Sequence, residues 1–246
     1  KRVVGEINIA CGQCEFCTAG LGRHCLDRSV LGIVKHPGAF AGFLTLPEAN
    51  LHLIPDEISD EEAVFIEPLA AACEILDQTS IAPGVEVAIL GDGKLGLLIA
   101  QTLCAHGAAV VVYGHHEAKL EIARRAGARV CITEDPPSGK YPFVVESTGS
   151  VGGLRQAVRM TRPRGTVVLK STVHGEVSLD TAPVIVNEIS LVGSRCGRFA
   201  PAIELLRQRK VDVSAMIAGR FPLLEAPAAF AEAARSGVLK VILTND

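Results

Sequence analysis

Four cysteines, Cys11, Cys14, Cys17 and Cys25, fall at the spacing C-x2-C-x2-C-x7-C, in a segment loosened by Gly12, Gly20 and Gly22. Thiolates this close together can converge tetrahedrally on Zn²⁺ with Zn–S distances of about 2.3 Å. Four of them leave no coordination position open, so such a zinc would be structural. The nearest rival is an iron–sulfur cluster. Its ferredoxin run has three residues before the last cysteine and a proline after it, where this chain has seven residues and then Leu26. Disulfides and inert thiols complete the alternatives. Cys73, Cys104, Cys131 and Cys196 are scattered through apolar segments, a distribution that suits a reducing compartment with one metal cluster.

A second group of residues points to a nucleotide. Gly91-Asp92-Gly93-Lys94-Leu95-Gly96 follows the apolar run Val85 to Leu90 and opens a helical stretch toward His106. A bare G-x-G-x-x-G often marks only a turn. Between a strand and a helix, however, Gly91 makes the tight turn, Gly93 lets a pyrophosphate approach the backbone, and Gly96 lets the helix pack on the strand. The helix start at Lys94 and Leu95 then faces the phosphates with free N–H groups and a partial positive charge.

The elements that must position these residues differ along the chain. From Lys1 to about Ser80 the text is irregular, with strand-like runs at Arg2 to Val4 and Phe43 to Leu46 broken by Gly and Pro. From Val85 onward, short apolar runs (Val85 to Leu90, Ala109 to Tyr113, Phe143 to Glu146, Thr166 to Lys170, Ile189 to Val192) alternate with helical ones. The helical runs are Lys94 to His106, Glu117 to Ala126, Gly152 to Thr161 and Pro201 to Gln208. Strands alternating with crossover-length helices predict an α/β fold with a doubly wound parallel sheet, covered on both faces. Phe221 to Asp246, with a final strand Val238 to Leu243, either extends that sheet or returns to the first region.

Length and charge bound the partners. The chain has 246 residues, 48% of them hydrophobic, and a formal charge of -3, enough for a packed core and without the basic footprint of a nucleic-acid binder. No window has the roughly 18 apolar residues of a membrane span, and Lys1 to Ala10 lacks the apolar centre of a signal peptide. Small molecules or copies of itself are the expected partners, and the cytoplasm the expected location.

Together these features resemble the zinc-type medium-chain dehydrogenase/reductase family, within it the sorbitol and threonine dehydrogenase-like branch. Arg2-Val3-Val4 with the four-cysteine lobe, Gly38-Ala39-Phe40-Ala41, and Leu53-Ile54-Pro55-Asp56 are similar to its first domain. Glu67-Pro68-Leu69-Ala70 resembles the branch's E-P-L-A signature, and Glu146-Ser147-Thr148-Gly149 and Gly193-Ser194-Arg195 the segments flanking its nicotinamide. The resemblance implies a partial GroES-like catalytic domain over 1–80, a Rossmann domain over 81–212 and a return to the first domain over 213–246. It implies a zinc-dependent alcohol or polyol dehydrogenase using NAD(P), with Glu67 at a catalytic metal, and a dimer or tetramer in which Ile185 to Val192 could pair across subunits. The family's upstream cysteine and Gly-His-Glu, the other ligands of that metal, have no match in this chain. The sequence therefore reads as N-terminally incomplete.

Rival readings remain open: a non-catalytic nucleotide-binding protein that keeps the structural zinc, and a zinc-ribbon interaction module, which the lack of basic and aromatic residues around the cluster disfavours. Glu67 also suits a helix start beside Pro68 for purely structural reasons. Thr148, Gly149, Lys170, Ser171 and Ser194 are candidate cofactor contacts at predicted strand ends. His24, His36, His52, His106 and His174 have no partner that sequence identifies. NAD-selective folds carry an acidic residue about 20 positions beyond the glycine turn. Here that position is Gly114, followed by His115 and His116 with Lys119 a turn later. This pattern implies NADP, with NAD possible, through histidines that grip the 2′-phosphate best when protonated.

Overall fold

The computed structural model describes residues 1–132, 135–173 and 175–245; His174 lies outside them. The chain forms two compact units, one of Lys1–Glu67 with Ile217–Asp246 and one of Pro68–Met216.

In the second unit, short strands of Val, Ile, Leu and Ala alternate with helices. The strands are β1 (Glu86–Leu90), β2 (Ala109–Tyr113), β3 (Arg129–Cys131), β4 (Tyr141–Glu146), β5 (Thr161–Leu169) and β6 (Ser190–Gly193). The helices between and after them are α1 (Lys94–His106), α2 (Glu117–Arg125), α3 (Gly153–Met160), α4 (Ala182–Val186) and α5 (Phe199–Arg207). All six strands run parallel in the order β3-β2-β1-β4-β5-β6. Val87, Ile89, Val112, Val144, Val145, Val167 and Val168 are buried, as a sheet covered on both faces requires. Gly107, at φ 94°, ends α1 in the left-handed conformation that a residue with Cβ resists. The chain leaves β1 for one side of the sheet and β4 for the other, so their carboxyl ends diverge and open a crevice.

The first unit combines short β pairs and loops with the short helices Glu15–Thr18, Asp60–Ala63 and Ala226–Ala233. Val3–Gly5 pairs antiparallel with Leu51–Leu53, Asn8–Ile9 with Ser29–Val30, and Ile217–Pro222 runs parallel to Lys240–Thr244. The buried Asn50 side chain donates to the carbonyls of Glu6 and Asn8 at 2.9 and 2.8 Å and so ties two of these pairs together. Ser59 and Glu62 form a reciprocal capping box on the short helix Asp60–Ala63.

Several expectations change. Phe43 to Leu46 forms no strand, and Phe43 is 97% exposed; its apolar residues have no pairing partner. The three-residue strand β3 goes unread because Arg129 breaks its apolar run. Of the two readings of the last segment, extension of the sheet gives way: Ile217–Pro222 and Lys240–Thr244 form their own parallel pair, and Ile217–Asp246 groups with Lys1–Glu67. The two units divide at Glu67/Pro68, inside the helix Ile66–Gln78. No helix of the described residues is long and apolar enough to cross a membrane.

Candidate dinucleotide site and metal centre

The crevice between β1 and β4 holds a cavity of about 520 Å³ lined by Gly91, Asp92, Gly93, Gly114, His115, His116, Lys119, Thr148, Ser150 and Gln156, among others. The glycines explain its shape. A Cβ at Gly91 would lie 2.7 Å from the Ser147 carbonyl oxygen, and one at Gly96 would lie 2.9 Å from Ser147 Oγ and still nearer the Gly91 carbonyl. The turn therefore closes on β4, and α1 on the turn. A Cβ at Gly93 would meet nothing within 4 Å, which leaves bare backbone toward the cavity at the start of α1. That is the surface a pyrophosphate needs.

Asp92 governs the far end of this cavity. Its Oδ2 accepts the backbone N–H of His115 and of His116 at 2.8 and 2.7 Å, and the His116 Nδ1–H at 2.9 Å. Burial pushes this carboxyl up, but the hydrogen bonds from His116 and the His115 amide, with the charge of His116, outweigh it and hold it below the ordinary range. Buried Glu146 plays a similar part at β4, accepting the Thr148 N–H and hydroxyl at 2.8 and 2.6 Å. Sequence reasoning singled out neither carboxylate, because their partners come together only in the folded turn.

Lys94, Leu95 and Gly96 lie in the first turn of α1. Gly149 N–H donates to Ser171 Oγ at 2.8 Å, linking the ends of β4 and β5. Lys170 is buried, and its ammonium donates to the carbonyls of Ala71 and Arg195 and to Ser194 Oγ at 2.7, 2.9 and 3.0 Å. Those bonds join β5 to the helix Ile66–Gln78. Glu67 lies half-buried in the first turn of that helix, with Pro68 third rather than first. His52 Nε2 pairs with Glu6 at 2.9 Å, and His106 Nε2 bonds the Ile81 carbonyl at 2.9 Å; both are structural.

The four cysteines of the lobe meet at one point. Their sulfurs all lie within 4.8 Å of one another, with Cys14–Cys17 at 3.4 Å and Cys11–Cys17 at 3.9 Å. A tetrahedron with Zn–S bonds of about 2.3 Å has S–S edges of about 3.8 Å, so the set fits zinc. The Cys17 amide and neighbouring donors pull the Cys14 thiol down to about 6. Desolvation, then the bond with Cys14, pushes Cys17 up to about 11. Among the described residues, this is the one group of three or more His, Cys, Asp or Glu side chains whose ligand atoms converge. Cys73 and Cys104 are held as thiols by desolvation, both at about 11.

Comparison with known proteins agrees with this architecture. Residues 1–56 match the alcohol dehydrogenase GroES-like domain, and residues 95–208 the zinc-binding dehydrogenase family. A sorbitol dehydrogenase of Halalkalibacterium halodurans is 30% identical, across 99% of this chain and 76% of that protein. A 2-dehydro-3-deoxy-L-galactonate 5-dehydrogenase of Pseudoalteromonas atlantica is 27% identical over 90% of this chain and 68% of its own length. Among solved structures, a zinc-binding dehydrogenase of Sinorhizobium meliloti 1021 bound to NADP superposes with a TM-score of 0.89 at 27% identity, covering 99% of this chain and 76% of its own. A protein of E. coli CFT073 described as a short chain alcohol dehydrogenase, complexed with NADH, also reaches 0.89, at 25% identity and 99% and 77% coverage. With its parallel sheet, glycine turn and four-cysteine lobe, the chain belongs to the zinc-type medium-chain dehydrogenase/reductase family.

Proposed function

We propose that this protein is a zinc-containing dehydrogenase that transfers hydride between a CH–OH group of a small alcohol or polyol and a nicotinamide dinucleotide. The observation that carries this reading is the cavity at the switch point of the sheet, where Gly93 leaves backbone bare at the start of α1. The names of the two dehydrogenases similar in sequence support a polyhydroxylated substrate. When bound, the dinucleotide supplies the hydride acceptor. The protein's part is orientation. Gly91, Gly93, Lys94 and Leu95 take the pyrophosphate, and Gly96 keeps α1 close enough to do so. Thr148, Gly149, Ser171 and Ser194, at the ends of β4, β5 and β6, border the nicotinamide half.

Cys11, Cys14, Cys17 and Cys25 hold a structural zinc that fixes the lobe and takes no part in the chemistry. For a catalytic zinc, Glu67 is the candidate, but the described residues do not fit that ion, because Glu67 belongs to no converging group of three. Eight cysteines, none of them in a disulfide, suit a reducing compartment, the cytoplasm. The edge strand β6, with Leu191 exposed and Ile185 and Val186 of α4 beside it in sequence, supports a homodimer or tetramer.

Calorimetric titration of the purified 246-residue chain with NAD and NADP, followed by an assay of NAD(P)H formation with sorbitol, tests the reading. Dinucleotide binding is expected. Turnover is expected to be very slow, since a catalytic zinc takes about three protein ligands. Absence of binding to either dinucleotide would overturn the assignment. Rapid, zinc-dependent polyol oxidation would mean that Glu67 has ligand partners the converging groups do not reveal.

A further inference from the structure

We propose that Asp92, on the glycine turn, is the residue that selects the dinucleotide, and that it selects NAD by taking over the acidic role that Gly114 leaves vacant at the end of β2. The inference rests on the dinucleotide-binding reading of the cavity and reverses the NADP preference that Gly114 and its neighbouring histidines imply in the sequence.

Three observations carry it. The first is volume. A Cβ on Gly114 would lie 2.6 Å from Asp92 Cβ, 2.8 Å from its Cγ and 2.7 Å from its Oδ2. The Asp92 carboxylate therefore fills the space into which a side chain at position 114 would project. An acidic side chain at that position accepts hydrogen bonds from the adenosine ribose in NAD-selective folds. Here the carboxylate reaches the same place from the glycine turn after the neighbouring strand β1, and only glycine at 114 leaves it room.

The second is the donor set. A 2′-phosphate entering this end of the cavity needs N–H groups and positive charge from the segment after β2. The amides of His115 and His116 and the His116 ring already donate to Asp92 Oδ2. His115 N–H, His116 N–H and the charge of a protonated His116 are thus committed to a resident anion. Lys119 also lines the cavity, and so does the His115 side chain; against them stands the fixed negative charge of Asp92.

The third is the free oxygen. Asp92 is buried to 7% exposure, and its pair of oxygens is used unequally: Oδ2 takes three donors while Oδ1 takes none among the described residues. Asp92 itself lines the cavity. An ionised carboxylate with one saturated and one open oxygen, its orientation locked by two backbone amides, is an acceptor prepared for hydroxyl groups. Ribose 2′- and 3′-hydroxyls can donate to Oδ1. A phosphate cannot, and its charge would meet the carboxylate at close range, where like charges cost affinity heavily.

Titrating NAD and NADP into the wild-type chain and into Asp92→Asn tests the proposal, with adenosine 2′,5′-bisphosphate as a probe of the adenosine end alone. Asparagine keeps the size of the side chain and an oxygen for the two amides, and removes the charge. Wild type is expected to bind NAD at least about tenfold more tightly than NADP, a difference of about 1.4 kcal/mol. In Asp92→Asn that ratio should fall by about tenfold or more, and adenosine 2′,5′-bisphosphate should bind more tightly than to wild type. Asp92→Ser, which is too short to bridge the two amides, should shift the ratio in the same direction if the asparagine variant fails to fold. Wild type binding NADP as tightly as NAD, or an unchanged ratio in a folded variant, would overturn the role of Asp92 and leave the dinucleotide site standing. Binding of neither dinucleotide would overturn both.

Discussion

Lys170 illustrates how one side chain can sit at a ligand-bearing strand end and yet serve the fold. Its buried ammonium donates to Ser194 Oγ and to two carbonyls at 2.7 and 2.9 Å, and a charged donor of that kind stabilises more than a neutral one. Lys170→Met keeps most of the volume and leaves the Ala71 and Arg195 carbonyls without this donor. A loss of about 2–4 kcal/mol in stability is expected. Urea unfolding should register that loss while the dissociation constant for NAD stays nearly unchanged. A selective loss of NAD binding at unchanged stability would instead make Lys170 a cofactor ligand. Gly197 adds a steric reason for the same junction: a Cβ there would overlap the Ala70 carbonyl, so the segment after β6 can pass the helix Ile66–Gln78 only as glycine.

At the scale of elements, β6 is one of the two edge strands at which the sheet is unfinished, β3 being the other. It pairs with β5 on one side, Leu191 on it is 39% exposed, and Ile185 and Val186 just before it are 72% and 78% exposed. An edge with unpaired backbone groups and apolar flanks is a template for a second copy. Leu191→Lys places a charge on that edge. If copies join there, size-exclusion chromatography with light scattering should report a shift from dimer or tetramer to monomer, with circular dichroism unchanged. An unaltered assembly would place the contact elsewhere, and a monomeric wild type would remove it.

The same elements mark what could be read from the sequence. The spans of α1 and β2 are legible to the residue because Lys94 opens directly after the glycine turn, Gly107 stops the helix, and Ala109 to Tyr113 is uniformly apolar. The cysteine centre is legible because its ligands are close in sequence. Phe43 to Leu46 misleads, since apolar character alone does not supply a pairing strand. Asp92 is silent in sequence for a different reason. Its meaning depends on the approach of the β1 turn to Gly114, a distance that no spacing along one strand encodes.

For the molecule as a whole, the metal centre and the sheet belong to different units. Zinc binding to a thiolate site that the unfolded chain lacks is folding free energy for the lobe. One zinc per chain is expected by elemental analysis. Cys17→Ser, or chelation, should release it and increase hydrogen exchange around residues 11–25, while amides of β1, β2 and β4 keep their protection. Retention of zinc in Cys17→Ser would break the ligand set. Loss of protection throughout the sheet would show that the two units unfold as one.

The pairing of Ile217–Pro222 with Lys240–Thr244 in the first unit has a consequence for the order of events on the ribosome. That unit is written in two instalments separated by the whole of Pro68–Met216. The intervening unit has all its strands and crossovers in one continuous stretch, so it can close its sheet while the tail is still being made. The cysteine lobe can likewise capture its metal early, from ligands within one short stretch. The rest of the first unit must wait as an open framework until Ile217–Thr244 has been made, and then close over a long loop whose ends are already held by a folded insert. Stalling translation shortly before residue 217 should therefore yield a nascent chain whose sheet resists protease and whose first 67 residues, apart from the lobe, are cut readily.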